Sequence, residues 1–193
     1  STVNTGSGID SIALISGTHN LAVTGSLTST SILGGTGVDS INVLSSFNAG
    51  WVSLDASADS IYFSAQVTAS TVYAQAGDSV SLSGANDQLV FASASSAKIY
   101  AGSGSDTLNF TGTATGNTID LGVNDPSSTS NVLTFADSAT GNFISGGSGD
   151  DAISFSGISS RDSLLSGAGN DAVNFLSAAT GVSVLGGDGN DLI

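Results

Sequence analysis

One phrase is written three times at the end of this chain, and its period dictates the architecture. Gly146-Gly147-Ser148-Gly149-Asp150-Asp151, Ser166-Gly167-Ala168-Gly169-Asn170-Asp171 and Gly186-Gly187-Asp188-Gly189-Asn190-Asp191 close on aspartates 20 residues apart. Each phrase is preceded, seven residues before its aspartate, by an apolar residue: Ile144, Leu164 and Val184. Apolar residues then follow in alternation: Ile153 and Phe155, Val173 and Phe175, and finally Ile193. A fixed period of this length marks a solenoid in which one repeat makes one coil. Residues two apart in a strand share a face, so the apolar pair points inward and its neighbours outward.

The pattern can be followed from the front of the chain. Thr5-Gly6-Ser7-Gly8-Ile9-Asp10, Gly34-Gly35-Thr36-Gly37-Val38-Asp39 and Ala101-Gly102-Ser103-Gly104-Ser105-Asp106 are full phrases. Around Asp59, Asp78 and Asp87 the glycines thin out while the apolar followers persist. The spacing is irregular in two places. Asp10 and Asp39 lie 29 residues apart, which predicts an extra strand or lobe around Leu21, Val23 and Leu27, and Asp78 and Asp87 lie only nine apart. A second turn recurs at Thr115-Gly116-Asn117, Thr140-Gly141-Asn142 and Thr180-Gly181-Val182, with a looser copy at Asn48-Ala49-Gly50. Each coil therefore reads as strand, turn, strand, glycine-rich turn. Phe63, Phe91, Phe110, Phe155 and Phe175 are expected to stack as an aromatic ladder in the core. Pro126 cannot donate to a strand ladder, and the Ser/Thr run after it predicts a protruding loop over 126–131.

Composition narrows the class further. All 16 acidic residues are Asp, the only cations are Lys98 and Arg161, and the formal net charge is −14. Such a chain cannot neutralise phosphates, which excludes nucleic acid and anionic membrane surfaces as partners. No apolar run is long enough to span a membrane, so insertion is not expected. Asp favours turns, whereas the helix formers Glu, Lys, Arg and Gln are nearly missing, and 26 glycines accompany short apolar alternations. The expected fold is all-β: a parallel β-solenoid of about 20 residues per coil, running through residues 1–193 as a single repetitive domain. Nine or so coils stacked at about 4.8 Å would span about 40 Å. With no cysteine, disulfides and thiolate chemistry are excluded. The carboxylates need another counter-charge, and a divalent cation is the natural one. The start without Met and the end inside a repeat suggest a segment of a longer chain.

The phrase resembles the nonapeptide of haemolysin-type (RTX) calcium-binding repeats, Gly-Gly-x-Gly-x-Asp-x-apolar-x, a known calcium-binding β-helix signature. The resemblance implies Ca²⁺ as the cofactor. It makes Asp10, Asp39, Asp106, Asp151, Asp171 and Asp191 side-chain ligands. Gly6, Gly8, Gly35, Gly37, Gly102, Gly104, Gly147, Gly149, Gly167, Gly169, Gly187 and Gly189 would be carbonyl donors. Ca²⁺ takes six to eight hard oxygens, more than one turn can offer, so an ion would bridge stacked coils. The degraded phrases at Asp59, Asp78 and Asp87 do not carry the ligand set over. The family repeats its phrase every nine residues, whereas here it comes about once per coil, which would put metal on one edge only.

No zinc-protease, nucleophile-elbow or dinucleotide motif is present, and aspartates strung along one edge without basic partners do not form a general acid–base pair. The expectation is therefore not an enzyme. It is an extracellular or cell-surface structural protein, self-associating into a layer, sheath or filament, with cell-surface polysaccharide as a further partner. Bacterial and cyanobacterial surface-layer proteins look similar in composition. The alternatives are an RTX carrier module of a secreted toxin, protease or lipase, or an adhesin. His19 is expected to be a surface turn residue and Trp51 to be partly exposed.

Overall fold

The computed structural model describes residues 2–55, 57–83, 86–122 and 130–193, with the side chains of Thr2, Val3, Thr5, Gly6, Ser7, Gly8 and Ser26 left aside. Among these residues there is no helix; the chain winds through two parallel sheets of 12 and 13 strands. It makes about eight turns, with strands about 20 residues apart on successive turns. The first face runs through Asn20–Thr28, Ser40–Val43, Ser60–Phe63, Ser79–Leu82, Lys98–Tyr100, Thr118–Asp120, Phe143–Ser148, Ser163–Ala168 and Ser183–Asp188. The second face runs through Ser11–Ala13, Ser31–Leu33, Trp51–Ser53, Ser70–Tyr73, Gln88–Ser95, Thr107–Phe110, Val132–Phe135, Ala152–Phe155 and Ala172–Phe175. Every pairing is parallel.

The core is the inward set expected from the alternation. Ile41, Val43, Ile61, Phe63, Val80, Leu89, Phe91, Leu108, Phe110, Leu133, Phe135, Ile153 and Phe155 are all buried. So are Ile32, Val52, Ile99, Ile144 and Leu164, seven residues before their aspartates. The outward residues Asn42, Asn109, Ser154 and Asn174 reach the surface. Burial of this kind contributes about 25 cal/mol per Å² of apolar surface, and stacking coil on coil is what makes it continuous.

The two spacing anomalies have a common cause, and it is not an added lobe. Leu21 and Val23 sit in the regular first-face strand Asn20–Thr28, in register with Ile41 and Val43, and Leu27 pairs with Phe47. The 29-residue gap is one coil plus a half-coil, and the nine-residue gap is a half-coil alone. Strands following Asp39, Asp59 and Asp78 lie on the first face, whereas those following Asp10 and Asp87 onward lie on the second. The repeat thus rotates to the opposite face twice.

This rotation also revises the aromatic ladder. Phe91, Phe110, Phe135, Phe155 and Phe175 stack at centroid spacings of 4.7, 4.8, 4.8 and 4.9 Å, with planes within 20°. Phe63 is not a member. It faces the core from the other sheet and tilts against Phe47 at 5.3 Å. Of the expected loop 126–131, residues 126–129 lie outside the described residues. Asn131, however, is buried just before the strand Val132–Phe135 and does not protrude; its side chain takes the place that an aspartate holds in neighbouring coils.

The second turn recurs as expected, with one left-handed residue per coil: Ser29, Ala49, Ala69, Ser96, Gly116, Gly141, Arg161 and Gly181. Arg161, one of the two cations, is exposed at this turn.

Candidate functional site

Apart from Asp10, the closing aspartates turn their side chains along the solenoid axis, each accepting from a backbone amide of the preceding coil. In the longer column, the amide of Asp87 donates to Asp106 Oδ1 (2.8 Å), that of Asp106 to Asn131 Oδ1 (3.0 Å) and that of Asn131 to Asp151 Oδ1 (2.9 Å). Asp151 donates to Asp171 Oδ1 (2.8 Å) and Asp171 to Asp191 Oδ1 (3.0 Å). Val67 heads the column, donating to Asp87 Oδ1 at 2.7 Å. A shorter column on the opposite corner joins His19 to Asp39 Oδ1 (2.9 Å), Asp39 to Asp59 Oδ1 (2.9 Å) and Asp59 to Asp78 Oδ1 (3.0 Å).

One oxygen of each carboxylate is thereby satisfied. In four of them the other is not: Oδ2 of Asp39, Asp87, Asp151 and Asp171 is buried without a hydrogen-bond partner. These four residues are between 0 and 2% exposed. A buried oxygen left unpaired costs free energy, and a buried charge costs more. Burial accordingly pushes the Asp151 carboxyl up to about 7, with Asp171 and Asp150 adding like-charge repulsion against the amide bond from Asn131. Burial raises Asp78 to about 6 and also raises Asp59, Asp87 and Asp171. In Asp59 and Asp78 the second oxygen does find a partner, the amides of Asp55 and Gln75 in the same turn.

The glycines have two structural duties. Gly147, Gly149, Gly167, Gly169, Gly187 and Gly189 have φ between +99° and +139°, the left-handed region. Successive turns also stack so closely that a Cβ on Gly167 or Gly187 would collide with the carbonyl oxygen of the glycine one coil before. The first glycine of each doublet, which the sequence pattern did not single out, makes room for the acid: a Cβ on Gly146 would lie 2.5 Å from Asp151 Oδ2, and one on Gly186 would strike Asp191.

The candidate ligands are thus sorted by corner. Asp106, Asp151, Asp171 and Asp191 share one column with Asp87 and Asn131. Asp39 belongs to the other with Asp59 and Asp78, whose degraded phrases had not been carried over. Asp10 stands apart, because Thr30, Gly50 and Ser70 follow it on its corner. Gly35 and Gly37 (φ 75° and 115°) and Gly102 and Gly104 (φ 89° and 98°) hold turns of the same type. Gly6 and Gly8 lie in the strand Thr2–Gly8, paired with Asn20–Thr28.

His19, expected on the surface, stands where a closing aspartate would. Its Nδ1 lies 2.8 Å from Asp39 Oδ1, so it ends the shorter column as a hydrogen-bond or, when protonated, ion-pair partner. A third column, mostly of asparagines, passes through Asn117, Asn142 and Asp162, linked at 3.0 and 2.8 Å. These residues belong to the second turn and carried no sequence signal beyond their recurrence.

The donor chemistry fits a hard cation. Buried carboxylate oxygens without partners, in a chain with two cationic side chains, are what Ca²⁺ coordinates. No group of three or more acidic or His side chains converges among the described residues, so each ion would take one or two aspartate oxygens. Backbone carbonyls or water would supply the rest. Comparison with protein-family models, with curated proteins and with solved structures gives no match.

Proposed function

We propose that this chain is a structural β-solenoid of the cell exterior, one building block of a surface layer, sheath or filament, whose aspartate columns are neutralised by Ca²⁺. The observation that carries this is the set of buried, partnerless Oδ2 atoms on Asp39, Asp87, Asp151 and Asp171. Left unneutralised, stacked carboxylates one coil apart repel each other across a dry interior. In the cation-loaded protein, Asp106, Asp151, Asp171 and Asp191, with Asp87, would hold the ions of the long column and Asp39 those of the short one. The cation supplies charge neutralisation and cross-links adjacent coils, which couples binding to folding. A rigid, elongated stack of about 20-residue turns suits load-bearing and lateral association better than catalysis. We assign the chain no reaction.

The test is calcium addition to chelated protein at pH 8, followed together by far-ultraviolet circular dichroism and light scattering. The proposal expects β signal and particle size to rise together. A rise in β signal alone leaves calcium-coupled folding intact and removes the assembly. No change in either removes the calcium.

A further inference from the structure

The half-coil rotation between Asp78 and Asp87 leaves a step in the side of the solenoid. Before it, the edge following the second face carries the glycine-type turn Ala74-Gln75-Ala76-Gly77-Asp78. After it, the same edge carries the end of the strand Gln88–Ser95, with Ala94 and Ser95 stacked on Ala114–Thr115. The two turn types differ in profile, and a groove of about 510 Å³ opens where they meet. That size falls within the range of roughly 300–1,000 Å³ usual for ligand clefts.

The buried methyls of Ala74 and Ala94 form its floor, and the exposed residues Tyr73, Gln75, Ser93, Ser95, Thr113 and Thr115 line it. Ser53, Tyr73 and Ser93 follow one another in a single outward row across three coils. Trp51 braces Tyr73 in an edge-on contact at 5.5 Å, and both rings remain more than one-third exposed. No lining residue is charged. A supported aromatic ring beside several hydroxyls and an amide offers a flat apolar surface together with donors and acceptors that carry no net charge. A charged ligand would find no counter-ion here, and the −14 charge of the chain repels anions at long range. A purely apolar ligand would leave the hydroxyls without partners.

We infer that this groove binds a neutral carbohydrate chain, a pyranose ring lying on Tyr73 and its hydroxyls meeting the Ser and Thr row. The groove touches an aspartate column only through the Gln75 backbone amide, which bonds Asp78, and none of the proposed sugar contacts is a column aspartate, so the inference stands whether or not those columns take calcium. It gives a surface structural protein a place to grip polysaccharide.

The experiment is a titration of the intact chain, in calcium-containing buffer, with three neutral hexasaccharides: a β-1,4-glucan, an α-1,4-glucan and a β-1,4-linked N-acetylglucosamine oligomer. Trp and Tyr fluorescence and calorimetry are the readouts. Saturable binding of at least one probe is expected, weakened about tenfold or more by Tyr73→Ala. Thr113→Arg, which fills the groove, should abolish it. Tyr62→Ala and Tyr100→Ala, exposed tyrosines on the other face, should leave it unchanged. Absence of binding for all three probes at about 10 mM, or equal loss in the Tyr73 and Tyr62 variants, overturns the inference.

Discussion

Asp151→Asn should make the metal-free protein more stable at neutral pH. The column already contains its own precedent: Asn131 accepts the Asp106 amide through Oδ1 and donates through Nδ2 to the Leu121 carbonyl at 3.0 Å. Asp120 is in register with Ser145, which places Gly146 beside Leu121 and offers Asn at position 151 the equivalent carbonyl. The substitution keeps the 2.9 Å bond from Asn131 and removes a buried charge. The carboxyl of Asp151 is raised from 3.8 to about 7. A folded-state value above the unfolded one means that stability is complete below about pH 4 and drains away as pH rises through about 7. At about 1.4 kcal/mol per decade the loss approaches 4 kcal/mol at pH 8, of which the variant should recover about 2–4. For a domain of this size that raises the melting temperature by about 5–10 °C. Thermal melts in chelator at pH 5 and pH 8 read it directly: the wild type should fall between the two, and the variant should fall less, because Asp78 and the other raised aspartates still titrate in it. A variant less stable than wild type at pH 8, or a wild type indifferent to pH over this range, would refute the reasoning.

Three further outcomes follow from the stacking. Phe110→Ala removes the ring held between Phe91 and Phe135 and should cost about 3–5 kcal/mol in denaturant unfolding. Gly167→Ala combines φ +115° with a collision against the Gly147 carbonyl and should cost about 3 kcal/mol, whereas Gly141→Ala, with open space around it, should cost about 1. Saturating calcium should raise the melting temperature of the wild type at pH 8 more than that of Asp151→Asn, because the variant has lost a ligand oxygen; calorimetric scans with and without the ion compare them.

The solenoid, its period and its inward residues were legible in the sequence because two-residue alternation and a 20-residue repeat leave little choice of packing. The site was legible only in part. Asp151, Asp171 and Asp191 were visible through their glycines, but Asp59, Asp78 and Asp87 are as buried as any aspartate in the chain although their glycines have thinned. The reason is that Asp caps the turn by accepting from the preceding coil's amide, a role that needs the side-chain Oδ1 and not the whole phrase. The corner to which each phrase belongs could not be seen locally, since a half-coil step preserves every short-range pattern while moving the strand to the other sheet. That step misdirected Phe63 and hid the groove. His19 and Asn131 were missed because each replaces the aspartate that the pattern uses as its marker.

The most direct test is proton release. At pH 6.5, below the raised value of Asp151, the folded column carries bound protons that a cation must displace. Adding calcium to weakly buffered, chelator-free protein should release protons at pH 6.5 and almost none at pH 8. Equal release at both values, or none at either, would contradict a buried aspartate column that exchanges protons for a metal ion.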